Sequence, residues 1–200
     1  MPKIVDRDAR QREIARAVLR VVAREGVRGV TIREAAHEAG WSTGVIHHYF
    51  GDKQGLLVGA VNEAGRLVSE RIAEVLTRAD PMDRLLALLE AGMPLDDERA
   101  AMCRIFFYFW SEGIADATLG AALAEYYALW RDDVRATIQA AQADGRFAGH
   151  DPARLSQSLV GLAEGLGVQS MFDPVAVPAT MLRDHLTEVV GRLAAATVTI

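Results

Sequence analysis

TIREAAHEAGWSTGVIHHYFGDKQGLL, residues 31–57, holds two short helical patterns on either side of a glycine turn, followed by the start of a longer helix. Thr31-Ile32-Arg33-Glu34 fits a capping box, in which the Thr31 hydroxyl takes the Glu34 N–H and Glu34 reaches back to the cap. Ile32, Ala35, Ala36 and Ala39 form one apolar stripe, and Gly40 stops the helix after about two turns. Ser42 then caps a second short helix, 43–49. Gly51-Asp52 interrupts again, and Asp52 caps a long helix from Lys53 to about Arg78. Two short helices across a tight turn make either a helix-turn-helix or an ordinary helical hairpin. With Ile46 at the centre of the buried face, Tyr49 and Phe50 lie beside it. Gly44 and His48 point away, flanked by Val45 and His47. A reading helix must offer such a small, polar outer face to base edges. Lys53, at the next helix start, is placed to meet phosphate.

Outward from this stretch the helical period persists. Ile14, Val18, Val21 and Val22 fall on one face of a helix from about Asp6 to Glu25, and Gly26 follows it. Arg12, Arg16, Arg20 and Arg24 line another face, expected to be solvated. Downstream, helices are expected from Asp80-Pro81, over 98–112, over 119–143, from Asp151-Pro152 to about Phe172, and from Pro178 to about Ala195. No segment alternates with period two. The fold class is therefore all-α with about nine helices, a three-helix head on a helical body. The expected division is 8–68 and 69–200.

The chain has 200 residues, half of them hydrophobic and 24% charged, as in an ordinary folded domain. Its net charge of −5 hides an asymmetry: residues 1–55 carry +3 and 56–200 carry −8. A basic head on an acidic body fits nucleic acid, though a charge of this size also arises by chance. The N-terminal MPKIVDRDARQRE is charged rather than apolar, so no secretory signal is expected. No apolar run approaches a membrane span, and a cytoplasmic location is expected. The single Cys103 rules out an intrachain disulfide. Beside Arg104 it is either a redox-sensitive thiol or an inert buried one.

The residues TIREAA (31–36), AGWSTG (39–44) and HYFGDKQGLL (48–57) resemble the TetR family of transcriptional regulators. The likeness runs over about 8–68, with STGVIHHYFGDKQGLL most similar to the choline-pathway repressors within that family. It implies a homodimeric regulator, a repressor of palindromic double-stranded operator DNA, released by a small-molecule inducer. It places Thr31 and Arg33 toward DNA and Thr43, Gly44, Val45 and His48 in the major groove. Tyr49 and Lys53 would hold phosphates. His47 stands where many members carry a phosphate-binding tyrosine, so that contact is kept, weakened or made pH-sensitive.

Eight of the thirteen aromatics fall within 106–130. Five in a row cannot share one helix face, so they divide between core and, in one reading, a ligand pocket of Phe106, Phe109, Trp110, Tyr127 and Trp130. Glu112 and Glu164 are candidate polar groups there, and aromatics with a carboxylate suit a quaternary ammonium. Gly161, Gly165 and Leu166, with Leu186 and Val189 on the last helix, are the expected dimer contacts; plain intrachain packing is the alternative. Glu34-x-x-His37 matches one element of a di-iron site, but such sites need a second copy and two more glutamates. No nucleophile elbow or phosphate loop occurs. Neither an enzyme nor a cofactor nor a metal is expected. A helical interaction module without DNA binding is the competing reading.

Overall fold

The computed structural model describes residues 7–195, with Thr118 by its backbone alone. Its nine helices are α1 (Arg7–Gly29), α2 (Ile32–Ala39), α3 (Thr43–Phe50), α4 (Lys53–Leu76), α5 (Pro81–Glu90), α6 (Asp97–Gly113), α7 (Ala117–Ala143), α8 (Pro152–Phe172) and α9 (Ala179–Ala195). No strand occurs among the described residues. The expected start of the first helix at Asp6 lies outside them, as do residues 196–200.

Local chemistry sets most helix ends. Oxygens of Thr31, Ser42, Asp52, Asp80, Asp116 and Asp151 accept backbone N–H groups of the first turns they precede, at 2.8–3.3 Å. Pro81 and Pro152 occupy first-turn positions, where a missing N–H costs nothing. Gly26 leaves helical torsions at φ 72° and ψ 177°, so the regular part of α1 ends where the sequence stops it. The capping box closes only halfway. Thr31 takes the Glu34 N–H, but the Glu34 carboxylate accepts from Arg24 at 2.9 Å. A charged donor across the helix pair outcompetes the uncharged cap N–H.

The described chain divides into two compact units. The first holds the residues up to Leu67 and also Asp97–Glu112; the second holds Val68–Asp96 and everything from Gly113 on. α6, which the sequence division places in 69–200, thus packs with the head. The first unit's core joins Ile14, Val18, Val21 and Val22 of α1 to Ala35, Ile46, Leu56, Leu57 and Ile105, all fully or almost fully buried. Arg104 of α6 donates to the Ala23 carbonyl of α1 at 3.2 Å. The arginine face of α1 is not merely solvated. Arg20 and Arg24 both reach Glu38 of α2, at 2.7 and 2.9 Å.

Arg16 bonds Glu63 of α4 at 2.7 Å, and Arg66 grips the same carboxylate with two nitrogens at 2.8 and 2.7 Å. Glu63 is 3% exposed. Burial pushes its carboxyl up, but the hydrogen bonds from Arg66 and Arg16 outweigh that and hold it below the ordinary glutamate value. A depressed carboxyl stabilises the fold above its unfolded pKa of about 4.3, and that stabilisation is lost as pH falls through the folded value. Glu63→Gln is therefore expected to lower the melting temperature near neutral pH, with the gap to wild type narrowing below about pH 4. Melting curves across that range check it; a gap independent of pH would contradict it.

The second unit packs α5, α7, α8 and α9 around Leu85, Leu88, Val134, Ile138, Phe147, Leu159, Leu182 and Leu186. Phe147 is fully buried at φ 52°. Its N–H donates to the Ala194 carbonyl at 3.1 Å, and Gln142 donates to its carbonyl at 3.2 Å.

Candidate nucleic-acid interface and ligand recess

α2 and α3 form the reader. Their junction is fixed by Gly40, at φ 71°, whose N–H bonds the last carbonyls of α2. Such left-handed torsions favour glycine. Ile46 is fully buried and sets the rotation of α3. Thr43, Gly44, His47 and His48 are accordingly exposed, while Val45 and Tyr49 are half-buried. Thr31 and Arg33, at the start of α2, are exposed as well. A Cβ built on Gly44 would meet only the Ser42 hydroxyl, at 3.8 Å, so the outer face is open there.

Lys53 is exposed, and its ammonium donates to the Arg28 carbonyl at 3.3 Å. His47 is engaged with its own helix end: Nδ1 lies 2.5 Å from the Gly51 carbonyl oxygen. A carbonyl only accepts, so Nδ1 carries the proton. The neutral ring then has a lone pair at Nε2, and only the imidazolium can donate from that atom.

The five residues expected to line one ligand pocket divide between the units. Phe106, Phe109 and Trp110 belong to the first, Tyr127 and Trp130 to the second. Phe109 is 4% exposed and Trp130 is 5% exposed, so both serve as core. Trp110 is exposed, and its ring sits 5.9 Å from that of Phe107. Glu112 is exposed at the end of α6.

Within the second unit a recess of about 310 Å³ is lined by Tyr127 and Arg131 of α7 and by Gln157, Val160, Gly161 and Glu164 of α8. The Tyr127 hydroxyl donates to the Glu164 carboxylate. Burial pushes the Glu164 carboxyl up. A cation brought beside it would offset that penalty. The sequence shows both residues but not their pairing across α7 and α8, which are 37 positions apart at this contact.

Of the expected dimer contacts, Leu166 and Leu186 turn inward, at 8% and 0% exposed, and join the second unit's own core. On α8 the buried positions Leu155, Leu159, Ala163, Leu166 and Ser170 recur at helical spacing, and Gln157, Ser158, Gly161 and Gln169 are exposed. Gly161 is exposed and Gly165 half-buried; a Cβ on either would meet nothing within 4 Å. Val189 is half-buried on α9. No helix of the described residues is long and apolar enough to cross a membrane.

Two family models match, and together they span most of the chain. Residues 14–60 match the bacterial regulatory proteins of the tetR family, and residues 81–195 match the BetI-type transcriptional repressor C-terminal domain. The regulator BetI of Burkholderia ambifaria is 34% identical over 121 residues, 60% of this chain and 62% of that protein. The chain thus matches less than two thirds of that relative's length. The regulator PksA of Bacillus subtilis is 28% identical, over 88% of this chain and 86% of its own. A transcriptional regulator from Saccharomonospora viridis, solved in complex with choline, superposes with a TM-score of 0.80 at 28% identity, covering 92% of this chain and 96% of that one. With the head matching one model and more than half the chain matching the other, this protein belongs to the BetI-type branch of the TetR family of transcriptional regulators.

Proposed function

We propose that the protein is a repressor that binds a palindromic operator as a homodimer and is released by a small cationic ligand. The observation that carries the reading is the outer face of α3. Thr43, Gly44, His47 and His48 are exposed around a buried Ile46, with Lys53 exposed at the next helix start. In this reading Thr43, Gly44, Val45 and His48 read base edges, while Arg33, Tyr49 and Lys53 hold the strand. Gly161 and Gly165 of α8, with Val189 of α9, meet a second copy, since the open space at both glycines admits a close helix.

The ligand enters the recess beside Tyr127 and Glu164. Tyr127 offers a ring face and Glu164 a carboxylate, a pairing that suits a quaternary ammonium. The choline held by the Saccharomonospora relative supports that class. Arg131 lines the same recess, so the cationic end sits on the Tyr127–Glu164 side. Release requires the ligand to prefer the arrangement that does not bind DNA, because equal affinity for both shifts nothing.

Selection of bound duplexes from genomic DNA, followed by mobility shift with and without choline, tests the reading. The expected result is a palindromic site whose complex is weakened by choline. Gly44→Glu should abolish specific binding while the fold persists, since the new side chain has room but sets a negative charge against the groove. Lys53→Ala should weaken all duplexes alike and lower the salt slope by about one. A folded wild type that retains no duplex at low salt would refute it.

A further inference from the structure

We infer that Arg10, seated on the ring of Trp41, is a further DNA-contacting residue, and that the cleft it borders receives the sugar–phosphate strand beside the reading helix. The inference rests on the DNA-binding reading above and adds to it a contact from α1. The Arg10 guanidinium carbon lies 3.7 Å from the centroid of the Trp41 ring. Trp41 is itself held, since its indole N–H donates to Glu13 at 3.0 Å and its backbone N–H to the Ala36 carbonyl at 2.9 Å. Glu13 also stands 3.7 Å from an Arg10 nitrogen. Trp41 and Glu13 thus fix one guanidinium at a defined place, and a planar cation on an aromatic face loses little freedom when it binds.

That place borders the reader. Arg10 and Trp41 line a cleft of about 430 Å³ with Gly44, Val45, His48 and Tyr49, four residues of α3. Gly44, Val45 and His48 are the same groups offered to base edges, so the cleft opens on the reading face. Its wall is mostly apolar, from Trp41, Val45 and Tyr49, with a cation at the rim. That combination matches a deoxyribose-phosphate unit, whose sugar is apolar and whose phosphate is an anion. Further along α1, Arg16 holds Glu63, Arg20 holds Glu38, and Arg24 holds Glu34 and Glu38. Arg10 approaches Glu13 at 3.7 Å, too long for a hydrogen bond.

The test measures binding of a short random-sequence duplex across a range of salt, with melting curves to confirm folding. Arg10→Ala is expected to weaken binding about tenfold and to lower the log–log salt slope by about 0.9, the value of one lost phosphate contact. Arg10→Lys, which keeps the charge, should keep the slope. Glu13→Gln still accepts the indole N–H but removes a carboxylate from beside the strand, so it should tighten binding. Lys53→Ala is the control. If Lys53→Ala lowers the slope while folded Arg10→Ala keeps the wild-type slope, this inference fails and the DNA-binding reading stands. If Glu13→Gln weakens binding in a folded protein, the inference fails as well. A wild type that binds no duplex overturns both.

Discussion

Trp130→Ala is expected to destabilise the second unit by about 3–5 kcal/mol, the range for removing a large buried aromatic. Trp130 is 5% exposed and packs among residues of α5, α7 and α8. Its ring lies against Gly92, where a built Cβ would come within 3.3 Å of Cη2. Its indole N–H donates to the Leu88 carbonyl at 3.0 Å. Leu88 is in the last turn of α5, so this bond ties α7 to a carbonyl at the end of that helix. Trp130→Phe keeps much of the packing and loses only the hydrogen bond, and should cost about 1–3 kcal/mol. Denaturant unfolding of both variants, followed by circular dichroism, gives the comparison. A Trp130→Ala variant within about 1 kcal/mol of wild type would show that the ring is not core. The prediction also bears on function. Loss of ligand response in Trp130→Ala would also report a loosened core, so ligand binding is better probed at Tyr127 or Glu164.

The difference between what the sequence shows of Trp130 and what the structure does with it is general here. Helix ends were legible because they depend on neighbours within four residues. Thr31, Ser42, Asp80 and Asp151 cap where a reader of the chain would place them, and Gly26 and Gly40 stop their helices. The reader face was legible for the same reason, since burying Ile46 fixes the direction of every other residue on an eight-residue helix. Partnership at a distance was not. Nothing local says that Glu34 will be taken by Arg24, ten residues back, or that Arg16 will reach Glu63, 47 residues on. The run from Phe106 to Trp110 announces aromatic packing without saying which ring faces which neighbour. On α8, Leu166, expected as a dimer contact, falls on the buried stripe that runs from Leu155 through Leu159 and Ala163. Trp41 lies within the turn motif, but nothing local pairs it with Arg10; only the fold of α1 against the turn brings them together.

Gly55→Ala is expected to cost about 3 kcal/mol or more, at the upper end for overpacking, and to abolish DNA binding with it. A Cβ on Gly55 would lie 1.9 Å from the Phe50 carbonyl oxygen and 3.0 Å from its carbon. Those are backbone atoms, with no flexible side chain to give way. The carbonyl is also held from the other side, because the Asp52 N–H donates to it at 2.9 Å. Gly55 itself is tied down, its N–H bonded to Asp52 at 2.8 Å. Relief would require the end of α3 to move away from α4. Phe50 has little room to follow, since a Cβ on Gly59 would already be 2.4 Å from its ring. Shifting α3 displaces the groups that face DNA, so stability and binding should fall together. Gly65, ten residues along the same helix, should behave oppositely. A Cβ there meets nothing within 4 Å, and α4 is regular at that point. Gly65→Ala should therefore stabilise by about 1 kcal/mol through helix propensity alone and leave DNA binding unchanged. Melting temperatures and mobility shifts of the two variants form one experiment. A Gly55→Ala protein as stable as wild type, or one that still binds operator, would mean that α3 and α4 do not meet as closely as Phe50 and Gly55 do here.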